Sequence, residues 1–192
     1  MRIAITGNPG VGKHTVANEI IKNMNFKLLD INKIAKDSGL FEKNDGTNDV
    51  DVEELEKLIS TTVEEHTLIV GHLAPYVIPF DKVDKVIVLR RSPYDLLRIY
   101  EERRYTKEKA KENAGSEALG IIAYDSAKKF KEKVFQINTS QKEIREVTKI
   151  VLNIISGMND SEEIEWLEAI KKNNDLEKFF AYWLNSVIIL RR

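Results

Sequence analysis

Two hydrophobic rhythms alternate along the chain. Short apolar runs at Ile3-Ala4-Ile5, Phe26–Asp30, Thr67–Val70, Val83–Leu89 and Lys133–Asn138 have the length and β-branched content of strands. Between them, apolar residues recur at helical spacing. Thr15–Met24 aligns Val16, Ile20 and Ile21, and Val52–Thr62 aligns Leu55, Leu58 and Ile59. Asn32–Ser38 also reads as helix, with Gly39 as its C-cap. Pro93 opens a helix after Ser92 that carries Leu96, Leu97 and Tyr100, and Glu117–Phe130 is a further helical stretch. Thr139-Ser140 is expected to cap a last long helix, Gln141–Ser156, with Ile144, Val147, Val151, Ile154 and Ile155 inward. Strands alternating with helices of this length predict βαβ units, hence an α/β fold with a mostly parallel central sheet.

Two segments break the rhythm. Lys43–Asp51 is polar, contains Gly46, and reads as a mobile loop. Gly157–Ser161 reads as a linker, followed by amphipathic helices over Glu162–Lys172 and Asp175–Leu190. The stripe Leu176, Phe179, Phe180, Trp183, Leu184, Val187 and Ile188 on the second is the kind that forms core or a subunit contact.

Composition narrows the class. A length of 192 residues suits one α/β domain with a small appendage. A formal net charge of −1 gives no global basic field for nucleic acid. With no cysteine there can be no disulfide and no thiolate metal site. The start, Met-Arg followed by a short strand, resembles neither a signal peptide nor a membrane span, so a cytoplasmic protein is expected. Charged residues of both signs make up 32% of the chain, as in solvated helical surfaces.

The chemistry is concentrated in Gly7-Asn8-Pro9-Gly10-Val11-Gly12-Lys13-His14-Thr15, between the first strand and the first helix. Glycines there let backbone N–H groups turn inward, the following helix points its positive end at the same place, and Lys13 adds an ammonium for the β/γ-phosphates. The spacing is that of a P-loop, except that His14 stands where Ser or Thr usually binds Mg²⁺.

Three other features face the same crevice and stay open at this stage. Asp30 ends a strand, where ligands gather in doubly wound sheets, yet it equally suits capping the helix that starts near Asn32. Arg98–Asn113 is dense in Arg, Lys and Glu, which suits either a solvated helix face or a lid closing over phosphates. His72, just past a strand end, is either a structural histidine or a group that positions water or phosphate. His66 has no such context.

The loop, the segment Asp30-Ile31-Asn32-Lys33-Ile34-Ala35-Lys36, the strand ending in His72, Arg103-Arg104-Tyr105 and Glu112-Asn113-x-x-x-Glu117 occur in an order that resembles the atypical adenylate kinases. These are small P-loop proteins of eukaryotic nuclei and archaea, in the nucleoside monophosphate kinase superfamily and associated with small ribosomal subunit maturation. The resemblance spans roughly residues 1–155, implying a kinase-like domain over 1–156 and leaving 157–192 as a helical extension.

It implies ATP:AMP phosphoryl transfer with ATPase activity, ATP with Mg²⁺, a small-subunit ribosomal protein as partner, and indirect contact with ribosomal RNA. Gly10, Val11, Gly12, Lys13, His14 and Thr15 would hold ATP, with Arg103 and Arg104 from a lid over about 102–112. Asp30, Asn32, Ala35 and Lys36 would serve AMP, within a segment over about 32–47. Lys13, His72 and Arg103 would be catalytic. Thr15 and Asp30 would serve the metal, Asp30 through a bound water.

Four positions depart from the family pattern: His14 for Thr, Val70 for an acid two residues before His72, Ile99 for the first lid arginine, and Lys36 for an arginine at AMP. A nucleotide-gated assembly factor with little kinase turnover is the alternative the departures leave open.

Overall fold

The computed structural model describes residues 1–44, 47–159 and 161–180. In chain order it runs β1 Ile3–Thr6, α1 Lys13–Asn23, β2 Lys27–Asp30, α2 Ile31–Asp37, β3 Phe41–Asn44, β4 Thr47–Val50, α3 Val52–Thr62 and β5 Thr67–Val70. It continues through α4 Ala74–Val77, β6 Lys85–Arg90, α5 Pro93–Glu102, α6 Lys107–Ala118, α7 Ile121–Phe130, β7 Val134–Asn138, α8 Ile144–Ile155 and α9 Trp166–Lys172.

Five strands form a wholly parallel sheet in the order β2-β5-β1-β6-β7. Because successive strand side chains point to opposite faces, each buried strand feeds two cores. Ile3, Ile5, Leu68, Val70, Ile87 and Leu89 pack with Val16 and Ile20 of α1 and Val147, Val151 and Ile154 of α8. Ala4, Ile69, Val86 and Val88 pack on the other face with Leu55 and Ile59 of α3 and Ile122 and Phe130 of α7. Each fully buried Val, Leu, Ile or Phe among them contributes about 1.5–3 kcal/mol. The order reverses at β1, whose neighbours β5 and β6 continue to opposite sides, so the crevice for a ligand lies at the carboxyl ends there.

The structure corrects several sequence expectations. Most of Lys43–Asp51 is no loop: β3 and β4 pair antiparallel, Asn44 opposite Thr47. Asp45-Gly46 between them is the dipeptide that short hairpins favour, a signal that outweighs polarity. The stretch Glu117–Phe130 is divided, because Gly120 adopts a left-handed φ of 65° and separates α6 from α7. Glu117 consequently belongs to the last turn of α6.

Thr139 and Ser140 do not cap α8, which starts at Ile144 after Glu143. Thr139 Oγ1 donates instead to the Arg90 and Val11 carbonyls, and Ser140 Oγ accepts from the Ser92 N–H. The supposed linker is docked on the sheet edge. Beyond Gly157, the Glu162 N–H donates to the Gln136 carbonyl, while Ser161 Oγ accepts from Gln136 N–H and Glu162 Oε1 from Asn138 N–H. These bonds occupy the outer edge of β7, which would otherwise present open backbone groups.

The segment that follows is packed rather than appended. Ile170 is fully buried, Phe179 stands edge-on to Tyr94 at 5.1 Å, and Tyr94 donates to Asp175 at 2.8 Å. Trp183, Leu184, Val187 and Ile188 of the expected stripe lie outside the described residues. Among the described residues no helix is long and apolar enough to cross a membrane.

Candidate functional site

The loop between β1 and α1 turns on three glycines with positive φ: Gly7 at 133°, Gly10 at 88° and Gly12 at 98°. Gly7 is doubly constrained, since a Cβ there would sit 2.2 Å from the Leu89 carbonyl oxygen. Pro9 is held from outside, its carbonyl accepting from the Tyr100 hydroxyl at 2.7 Å. Tyr100 stacks on Tyr105, so the α5–α6 turn leans on the loop it faces.

Lys13 is buried, and its Nζ donates to the Gly7 and Asn8 carbonyls at 2.9 and 2.8 Å. Burial pushes its pKa down to about 8, with the Arg103 charge acting in the same direction and the Glu117 and Asp30 carboxylates opposing. An ammonium held at such cost gains from an anion laid in the loop. A cavity of about 90 Å³ opens beside it, lined by Gly10, Gly12, Lys13, His14, Thr15 and Arg103.

The structure thus gathers Lys13, His14, Thr15 and Arg103 at one mouth. Asp30 joins them through His14, whose Nε2 lies 2.9 Å from Asp30 Oδ2. The other carboxylate oxygen accepts from the N–H groups of Asn32 and Lys33, so Asp30 both caps α2 and faces the crevice. His72 is half-buried and held well below its ordinary pKa, at about 4, by desolvation and the Lys13 and Lys109 charges. It is therefore neutral at pH 7.

Other expected residues stand apart. Val11 is buried and its carbonyl accepts from Thr139. Arg104 is exposed with a left-handed φ of 56°, outside that cavity's lining. Ala35 is fully buried and anchors α2 in the core, while Lys36 is exposed and Asn32 half-buried. Arg98 is exposed and pairs with Asp95 on its own helix.

Sequence reasoning missed the support beneath the loop. Glu117 is buried and its carboxylate accepts from Asn8 Nδ2, Arg90 Nε, the Arg91 N–H and Trp166 Nε1. Arg90 completes its own fork on the Glu117 carbonyl and Gln136. The sequence marks Glu117 as part of the Glu112-Asn113-x-x-x-Glu117 element and Arg90-Arg91 as closing a buried strand, a placement that demands a carboxylate partner, but does not join the two. It also missed a second cavity of about 180 Å³ behind the loop, lined by residues that include Gly12, Thr15, Arg91, Thr139 and Lys142.

A family model described as an AAA domain matches residues 3–120. Proteins named "Putative adenylate kinase" are 33% identical in Methanococcus maripaludis (88% of this chain, 96% of that protein) and 34% identical in Methanocaldococcus jannaschii (88% and 94%). Among solved structures, YorR from Bacillus subtilis in complex with phosphorylated GDP superposes with TM-score 0.58 at 16% identity, covering 81% of this chain and 96% of that one. Shikimate kinase from Acinetobacter baumannii superposes with TM-score 0.56 at 19% identity, covering 81% and 92%. At that identity the likeness concerns the fold. The archaeal relatives carry the family, and the chain belongs with them to the P-loop nucleoside monophosphate kinases.

Proposed function

We propose that this protein transfers the γ-phosphoryl group of ATP to AMP. The observation that carries the reading is the buried Lys13 ammonium, bonded to two loop carbonyls and facing a cavity shared with Arg103. Phosphoryl transfer asks a protein chiefly for position and for positive charge around the moving group. The loop N–H groups and Lys13 hold the donor's β/γ-phosphates, Arg103 closes from the α5–α6 turn with Arg104 swinging in from solvent beside it, and neutral His72 orients a phosphate oxygen by hydrogen bonding. The acceptor lies on the α2 side, reached by Asn32 and Lys36 and bounded by Asp30. The second cavity, with Arg91 beside it, would take the donor's base.

A nucleotide-borne divalent cation would be held at the mouth, where the exposed Thr15 hydroxyl and the Asp30 carboxylate supply oxygen donors beside the His14 imidazole. When bound, such a cation would neutralise charge on the donor's phosphate oxygens. Initial rates with ATP against AMP, GMP, CMP and UMP test the acceptor; preference for a base other than adenine would overturn it.

A second reading rests on Val70, which is fully buried and leaves no acid at the end of β5. Asp30, its register partner on β2, is already engaged by His14 and α2. Slow turnover would suit an ATPase that times release of a small-subunit ribosomal protein near ribosomal RNA. Copurification of such a protein, released by ATP but not by a non-hydrolysable analogue, tests it; nucleotide-insensitive binding would count against it.

A further inference from the structure

The departure at His14 is a change of donor atom as well as of residue. A P-loop offers its cation a hydroxyl oxygen at this position, whereas this chain offers an imidazole nitrogen. His14 Nε2 lies 2.9 Å from Asp30 Oδ2. That contact is a hydrogen bond between ring and carboxylate, which an ion taken up here replaces, the imidazole turning a nitrogen lone pair and the carboxylate an oxygen toward the metal instead of toward each other. Half of the His14 side chain and a quarter of that of Asp30 are exposed, which leaves access for an ion carrying waters and phosphate oxygens.

The sheet register explains why Asp30 fills this part. Asp30 is paired with Val70, so the carboxylate missing from the end of β5 is supplied at the same level one strand away. Its Oδ1 is committed to the N–H groups of α2, which fixes the carboxylate and leaves Oδ2 for His14.

We propose that His14 Nε2 and Asp30 Oδ2 form a ligand pair for the divalent cation on the bound polyphosphate, selecting Mn²⁺, Co²⁺ or Zn²⁺ over Mg²⁺. This inference rests on the phosphate-loop reading above. Imidazole suits zinc and other transition ions, while Mg²⁺ prefers oxygen and parts reluctantly with water. The remaining positions fall to phosphate oxygens, water and the neighbouring Thr15 hydroxyl.

The test uses Mn²⁺ with inorganic tripolyphosphate, which carries no nitrogen, and pulsed electron paramagnetic resonance. The full chain should show ¹⁴N coupling from one coordinated imidazole, abolished in His14→Thr and retained in His66→Gln. In competition, the Mg²⁺ excess that displaces half of the Mn²⁺ should fall at least tenfold in His14→Thr. Mn²⁺-tripolyphosphate bound without nitrogen coupling would overturn the ligand pair and leave the phosphate loop standing. Failure of tripolyphosphate to bind at all would overturn the phosphate-loop reading, and the pair with it.

Discussion

Glu117 Oε2 accepts a 2.8 Å hydrogen bond from Asn8 Nδ2, joining the last turn of α6 to a loop 109 residues earlier in the chain. Its other oxygen takes Arg90 Nε at 2.6 Å, and both side chains are almost wholly buried. The phosphate loop is therefore fastened from beneath by an ion pair that water does not reach.

Glu117→Gln keeps the shape but leaves the Arg90 guanidinium buried without a countercharge. Removing one partner of such a pair costs roughly 3–5 kcal/mol. Urea denaturation should show that loss of stability; a change below about 1 kcal/mol would mean that Arg90 is solvated as the loop breathes.

Trp166 donates its indole N–H to the same carboxylate, so the segment beyond Gly157 reaches the loop's support. Trp166→Phe keeps an aromatic ring but removes the indole N–H, with its bond to a charged acceptor, and the second ring, at a cost of at least about 1.5–3 kcal/mol. An unchanged denaturation midpoint would show the tail to be energetically separate from the kinase core.

How much of this was legible beforehand follows from the range of the interactions. The glycines, Lys13 and the alternating apolar runs are local patterns, and they placed the strands, the loop and the parallel sheet. Glu117 was legible as part of the Glu112-Asn113-x-x-x-Glu117 element but not as a hub, because its partners Asn8, Arg90 and Trp166 come from three distant segments. Thr139-Ser140 misled for a related reason: hydroxyls before a helix imply a cap, but here the nearest acceptors and donors belong to the neighbouring strand and loop. The β3–β4 hairpin was hidden by its polar composition.

Lys13 gives the site a pH signature. Its folded pKa is lowered to about 8, so without ligand the side chain loses its charge above that pH. Bound phosphate favours the ammonium and raises the pKa again, so binding takes up a proton. Above pH 8 phosphate is itself fully ionised, so affinity for ATP should fall by up to about tenfold per pH unit. Calorimetry in buffers of different ionisation enthalpy should register the proton uptake. An affinity constant between pH 8 and 9.5 would contradict this.

His72 shifts stability at the acid end. Its pKa of about 4 in the fold lies below the ordinary value of 6.5, so the unfolded chain binds the proton first as pH falls. Stability from this group is complete above pH 6.5 and is lost between 6.5 and about 4, at no more than about 1.4 kcal/mol per pH unit. Relative to the wild type, His72→Gln should lose less stability between pH 6.5 and 5 in denaturant titrations. Parallel profiles would show that His72 titrates freely.

ADP formation from ATP plus AMP is the most direct measurement. Wild-type protein should produce ADP only when both nucleotides and a divalent cation are present, and Lys13→Ala should reduce the rate at least a hundredfold while remaining folded. ADP released from ATP at the same rate with or without AMP, or formation undiminished in Lys13→Ala, would contradict phosphoryl transfer on this loop.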